Sequence, residues 1–489
     1  MCAILLLNAL MTGLFLNRSR FDLLGAGYFR DSAKIYHALR HGELPSGDRE
    51  IIPNQPPLVL VAAALAYFPF GLSKETAIMF NIFYLAMLIF GTYLFAFGLY
   101  GPRAAFLSAV LASFVPAVYG HAHTFLLDLP LASFTMSALG IASYTKLNSV
   151  PGRIAAGSAI ACGLLTKWTF PLFFMPLFAV LIVAGRVRLL DSAVTFIIGM
   201  IPALPWYIIH RRDVLAILKY GSAVISPELS GYVPFLYEKL LLPPLAVIFA
   251  VSIIYSLIRK RFLLLMLSAA IPVCLISFSK NRDPRQILPA IPVMMVIVGS
   301  VLAEADRKGI TASIVLLFSF TQFLLLHFKP GFLPYLENFS HVPADGQFGL
   351  YTPVNTGYWK TMEIFNAIRR AARRERRMSI LVISPHSGLI HPLENLAAVN
   401  DFSIELHAPA DRDQLKVTFE VDVVRLINEA DYVMYKSGHQ GNTWHQNIID
   451  ELYRVFDNKR REFVLELNET LPDGSELFLF RRQLILQKK

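Results

Sequence analysis

Two carboxylates and three cations stand where chemistry could occur. Asp31 lies in a polar stretch, residues 29–58, that separates two strongly apolar blocks and ends in the double proline Pro56-Pro57; Asp128 sits beside a later apolar block. Lys280, Arg282 and Arg285 crowd into the turn Lys280-Asn281-Arg282-Asp283-Pro284-Arg285 between two more. A carboxylate can take or position the proton of an attacking hydroxyl, and cations stabilise the charge that grows on a departing phosphate. The set suits transfer from a lipid-linked sugar, in which Asp31 could supply the carboxylate and Lys280, Arg282 and Arg285 the cations for the donor phosphate. Tyr36, Gln55, His123 and Tyr207 are the candidates for substrate contact.

These residues need a scaffold, and composition names its class. With 489 residues, 55% hydrophobic, 16% charged and a mean hydropathy of +0.50, the chain is too apolar for a soluble multidomain protein. A polytopic α-helical membrane protein is expected. The net charge of +10 and pI of about 9.4 point to anionic membrane lipids or a phosphate-bearing lipid as partners, with no role for nucleic acid. Cys2, Cys162 and Cys274 lie apart in apolar runs, so neither a disulfide framework nor a zinc site is indicated. No cofactor and no metal is called for, although a divalent metal stays open.

Residues 1–16 form a first apolar run without a basic leader or a small-residue cleavage site, which favours a retained helix over a signal peptide. Residues 56–71 are apolar but short; they suit a surface or re-entrant segment better than a span. Longer blocks follow at about 77–98, 104–120, 125–145, 154–184 (broken near Pro171), 193–209, 240–258, 262–279, 286–303 and 311–328, which predicts roughly eleven transmembrane helices over residues 1–328. Arg103, Lys146 with Arg153, Arg186 with Arg188, Arg259-Lys260-Arg261 and Arg307-Lys308 then mark the inner loops, against Arg18 and Arg20 outside. That orientation places the large first loop (17–57), the Asp128 end of its block and the 280–285 turn on one outer surface. A carboxylate near a bilayer core costs roughly 2.5–3.5 kcal/mol at a helix centre, so such groups usually face a wet cavity.

From residue 329 the chain turns rich in Gly, Pro, Asn and aromatics, a linker to about residue 359. Residues 360–489 read as a soluble α/β domain. An Arg-studded helix (360–377) precedes a strand at MSILVIS, then alternating elements run through ADYVMYKS and NTWHQNIIDELYRVF to a hairpin turning at Pro472-Asp473-Gly474. The sheet should be mostly parallel with an antiparallel edge, and an odd number of spans puts it outside. No GxGxxG or Walker pattern supports nucleotide binding.

The order of landmarks resembles the GT-C superfamily of polyprenyl-phosphate-dependent glycosyltransferases, among the bacterial relatives of protein O-mannosyltransferases and lipid A aminoarabinose transferases. The matching stretches are Asp31-Ser32-Ala33 with Tyr36 and Gly42, Gln55-Pro56-Pro57-Leu58, Asp128-Leu129-Pro130-Leu131, Gly163-Leu164-Leu165-Thr166-Lys167, Pro205-Trp206-Tyr207, and Asp283-Pro284-Arg285-Gln286-Ile287-Leu288-Pro289. The resemblance implies a GT-C-like helical fold with a large first outer loop. It further implies inverting transfer from a polyprenyl-phosphate sugar donor to a glycan, lipid or protein acceptor, in a bacterial inner membrane with the active site and C-terminal domain facing the periplasm. Asp31 is then the catalytic carboxylate, and Asp128 supports acceptor or sugar. The chain departs from the pattern at Ser32, where many relatives have Glu, and at Gln55, where His or Lys is frequent.

Plainer readings stand beside each assignment. Asp31 could N-cap a surface helix from Ser32 to His41, Asp128 could cap the helix starting at Leu129, and Lys167 could snorkel to an interface. The 280–285 turn could rest on headgroups, His121 and His123 could be an interfacial hydrogen-bonded pair instead of metal ligands, and Trp206 and Tyr207 could be interfacial anchors. Tyr220, Tyr232 and Tyr237 fit a sugar platform or an aromatic belt equally. At the level of the whole chain the rivals are a membrane transporter or lipid flippase, and a catalytically inactive scaffold with an outer binding domain.

Overall fold

The structure, a computed structural model, describes residues 2–14, 23–42, 55–212, 214–215, 240–277, 284–306, 308–328, 365–366, 368–369, 378–383, 404–407, 423–437, 446–470 and 476–483. The chain divides into two compact units, one of residues 1–16, 42–340 and 350–353, the other of residues 17–41, 341–349 and 354–489.

The first unit is helical. Its elements are α1 (Cys2–Leu14), α3 (Leu58–Phe70), α4 (Lys74–Met79), α5 (Asn81–Tyr100), α6 (Pro102–Phe114), α7 (Pro116–Ala122), α8 (Asp128–Thr145), α9 (Val150–Leu164), α10 (Phe170–Val183), α11 (Leu189–Ile209), α12 (Leu242–Ile258), α13 (Leu263–Ser277), a 3-10 turn (Pro284–Ala290), α14 (Ile291–Ala305) and α15 (Ile310–Phe328). Apolar blocks become helices because a chain in hydrocarbon must satisfy its own N–H and C=O groups, and a helix does so within one segment. Among the described residues, Lys74–Tyr100, Leu189–Ile209, Arg285–Ala305 and Ile310–His327 are long and apolar enough to cross a membrane, and α6 with α7, bent by 58°, makes a fifth if counted as one span. Six further apolar helices run 10–17 residues, among them α1 and α3. This is a multi-pass membrane protein. The expected break in the 154–184 block falls at residues 165–169, just ahead of Pro171 in the first turn of α10.

Packing without a hydrophobic drive between helices favours small residues that let backbones approach. The α5–α8 seam is built that way: a β-carbon added at Gly91 would lie 2.6 Å from the Met136 carbonyl carbon, and one at Gly140 would lie 2.5 Å from the Gly91 carbonyl oxygen. Ser133 and Ser143 donate across the seam to the carbonyls of Tyr84 and Phe95, at 2.6 and 3.2 Å. Gly91→Ala should therefore lower stability by about 1–3 kcal/mol through overpacking. Gly13→Ala, with nothing within 4 Å of the new carbon, should leave it unchanged or raise it. Thermal unfolding in detergent checks the pair; equal midpoints would contradict the seam.

The second unit contains α2 (Leu23–Arg40) and a five-stranded sheet: β1 (Met378–Ile383), β2 (Ile404–His407), β3 (Tyr432–Lys436), β4 (Phe463–Thr470) and β5 (Glu476–Arg482), in the order β2-β1-β3-β5-β4. β1 pairs in parallel with β2 and β3, while β5 runs antiparallel to β3 and β4. That is the parallel sheet with an antiparallel edge expected from the sequence. Helices α16 (Val423–Glu429) and α17 (Gln446–Lys459) bring Ile427, Leu452 and Phe456 onto Leu381, Val433 and Phe480 as its core. Of the expected 360–377 helix, Phe365 and Ile368 are buried, and most of its arginines lie outside the described residues, as do the 329–359 linker and the Pro472-Asp473-Gly474 turn.

Candidate active site

The polar centre of the helical unit is a buried ion cluster. Asp128 is fully buried; its Oδ1 accepts from Lys167 Nζ at 2.7 Å, and its Oδ2 faces Arg285 Nη1 at 3.8 Å. Lys167 and Arg285 are themselves only 8% and 9% exposed. Asp128 opens α8, but the N-cap position is Leu127 and carries no side-chain cap bond. The carboxylate is spent on cations rather than on backbone N–H groups, so the cap reading does not describe it.

Lys167 was missed as a site residue because a lone lysine in an apolar stretch ordinarily snorkels. Its partner is thirty-nine residues away, a contact that only the tertiary fold makes. The available signal was the Gly163-to-Lys167 landmark itself. At Gly163 a β-carbon would fall 2.2 Å from the Phe170 ring, so glycine lets Phe170 close over the end of α9 while the chain turns. The turn is held by Lys167 N–H to Gly163 at 3.3 Å, Phe170 N–H to Lys167 at 3.0 Å and Thr166 Oγ1 to Cys162 at 2.7 Å.

Two other landmarks dock on the same turn. Leu58, after the double proline, donates its N–H to the Leu165 carbonyl at 3.0 Å, and Tyr207 donates its hydroxyl to the Leu164 carbonyl at 3.0 Å. Five stretches far apart in sequence, at Leu58, Asp128, Leu164 to Lys167, Tyr207 and Arg285, are thus joined by hydrogen bonds and ion pairs. Tyr207 acts in that framework as a brace for the turn. Gln55 precedes it on the α3 side.

On the remaining side, Asn81 Nδ2 gathers the carbonyls of His121, Ala122 and Thr124, the last at 2.6 Å, and so fixes the loop between α7 and α8. His121 Nδ1 donates to the Ala117 carbonyl at 2.6 Å, and its ring is close enough to act on the Asp128 charge. His123 turns elsewhere, its Nε2 meeting His327 Nε2 at 3.2 Å, while His327 Nδ1 donates to the Phe323 carbonyl at 2.7 Å. The two histidines of the H-x-H pair are therefore hydrogen-bonded separately rather than to each other. Among the described residues no three His, Cys, Asp or Glu side chains converge as metal ligands.

In the second unit Asp31 lies in the middle of α2, which starts well before Ser32; mid-helix, it cannot be an N-cap. Its carboxylate is 17% exposed and accepts from Arg30 Nε at 3.2 Å. Ser32, standing where many relatives have Glu, is buried with its hydroxyl donated to the Phe29 carbonyl at 2.8 Å. Tyr36 stands edge-on to His37, ring centroids 5.3 Å apart. Lys280, Arg282, Tyr220, Tyr232 and Tyr237 lie outside the described residues.

No family profile matches the chain, and no curated protein matches it by sequence. Solved structures do. ArnT from Cupriavidus metallidurans bound to undecaprenyl phosphate superposes with a TM-score of 0.63 over 98% of this chain and 97% of that one, at 14% identity. The same protein in the apo state gives 0.60, over 98% and 96%, at 15% identity. Archaeal oligosaccharyltransferase AglB from Archaeoglobus fulgidus, in complex with an inhibitory peptide and a dolichol-phosphate, gives 0.59, over 98% and 74%, at 12% identity. Identity this low speaks to architecture alone, and the architecture agrees with the resemblance drawn from the landmarks: the chain has the GT-C fold.

Proposed function

We propose that this protein is a membrane glycosyltransferase that moves a sugar from a polyprenyl-phosphate donor to a glycan, lipid or protein acceptor. The supporting observation is the buried cluster at Asp128. Burying an ammonium and a guanidinium is costly unless each is well partnered. Lys167 Nζ has three N–H donors, and among the described residues its one acceptor is Asp128. A phosphate oxygen supplies the acceptor such a site lacks, and Arg285, a planar fork, suits it better than a lysine would.

In this reading Asp128 holds the two cations in place, and Arg285 and Lys167, with Lys280 and Arg282 from the sequence, bind the donor phosphate. Asp31 takes the proton from the acceptor hydroxyl as the new glycosidic bond forms at the anomeric carbon. The bond from that carbon to the phosphate oxygen breaks, the electron pair leaves with polyprenyl phosphate, and the configuration inverts. The reaction belongs on the periplasmic face of a bacterial inner membrane, the side on which positive-inside reasoning places the first loop. Arg285→Ala should raise the apparent KM for the lipid-linked donor more than it lowers kcat. Donor titration of the purified variant checks this, and an unchanged donor KM removes Arg285 from the site.

The buried, internally bonded Ser32 favours a second reading, in which the chain keeps the fold but lacks transfer. Release of polyprenyl phosphate from a labelled donor separates the two.

A further inference from the structure

The segment that delivers Asp128 is held from two sides. Residues 123–127 lead from α7 into α8, and backbone bonds draw the turn tight: His123 N–H to the Gly120 carbonyl at 3.2 Å, Thr124 N–H to His121 at 3.4 Å and Leu126 N–H to Thr124 at 3.1 Å. Asn81 of α5 anchors its carbonyls on one side. On the other, His327 in the last turn of α15 meets the His123 ring, Nε2 to Nε2, at 3.2 Å. The Phe323 carbonyl takes the His327 Nδ1 proton at 2.7 Å, so the Nε2 of the neutral ring is an acceptor and His123 Nε2–H donates to it.

His327 is itself firmly placed. Its ring lies 5.1 Å from that of Tyr119 and 4.5 Å from that of Phe323, beside an apolar cluster in which Met11, Val110, Phe114, Tyr119 and Phe323 join α1, α6, α7 and α15. A leucine would serve such neighbours as well; what the imidazole adds is the acceptor for His123. We propose that His327 is a positioning residue for the Asp128 cluster, acting through His123 and the loop that opens into α8. The inference rests on the transferase reading, and it makes His123 a fixed strut instead of a substrate contact. Asp128 is the first residue after that loop, 2.7 Å from Lys167 and 3.8 Å from Arg285, so a loop that shifts moves the carboxylate against both cations. A working site has to be held within about 0.5 Å by the groups behind it.

The test is a double-mutant cycle on the purified full-length protein, read as the dissociation constant and the number of sites for undecaprenyl phosphate at one fixed pH. His327→Leu and His123→Leu should each weaken binding about three- to tenfold, the size of one lost hydrogen bond, with the number of sites unchanged. The double Leu variant should be no weaker than either single, because the two rings act as one unit. His327→Gln, whose Oε1 accepts where Nε2 did, should restore most of the affinity. A merely structural role lowers the number of sites and leaves the dissociation constant alone. That pattern, additive losses in the double variant, or a Gln variant as weak as the Leu variant overturns the proposal while the phosphate reading stands. If the unmodified protein binds no undecaprenyl phosphate, the transferase reading fails and the positioning role falls with it.

Discussion

Replacing Asp31 by Asn should reduce sugar transfer by about two to four orders of magnitude, the usual worth of a positioned acid–base group, while membrane expression and thermal stability hold. The substitution keeps size and shape and removes the negative charge and with it the ability to take a proton. Asp31 is mid-helix and partly exposed, with its carboxylate accepting from the adjacent Arg30. A surface helix residue of that kind ordinarily changes stability by less than about 0.5 kcal/mol. Turnover by the Asn variant within a few-fold of the unmodified rate would take Asp31 out of the chemistry.

The second large effect concerns Asp128 and Lys167, where structure and chemistry have to be separated. Asp128→Leu alone, or Lys167→Met alone, leaves a buried charge without its principal partner and should cost about 3–5 kcal/mol of stability. Combining the two removes both charges at once. The double variant should recover the part of the loss that comes from the unpaired partner, because an apolar pair of similar volume commonly replaces a buried ion pair without penalty, but not the part that comes from Arg285 losing its contact with Asp128. Transfer should stay absent in all three, since the cation aimed at phosphate is gone from the double variant and misplaced in the Asp128 single. A double variant that is stable and fully active would make the ion pair a packing feature only.

Much of this architecture was legible because its causes are local. Apolar blocks became helices as hydrocarbon requires, the break ahead of Pro171 fell where proline starts a new helix, and the strands MSILVIS and ADYVMYKS paired as buried parallel strands do. The landmarks carried the site further than any single residue could, because three of them are bonded to the turn of a fourth, and a fifth joins through Asp128. What stayed hidden was pairing across distance. No sequence pattern says that Lys167 reaches Asp128, or that His123 meets His327 two hundred and four residues on. Reading Asp31 as a helix cap failed for a related reason: α2 extends from Leu23, through residues whose glycines and tyrosine carry no strong helix signal.

In the proposed reaction the bond between the sugar's anomeric carbon and the phosphate oxygen of the polyprenyl donor breaks on this chain. Purified full-length protein in lipid, given a radiolabelled undecaprenyl-phosphate hexose and a membrane extract as acceptor source, should release undecaprenyl phosphate as label moves to acceptor, and Asp31→Asn should release it about a hundredfold or more slowly. Binding of the donor without release, or release at the same rate by the Asn variant, would contradict it.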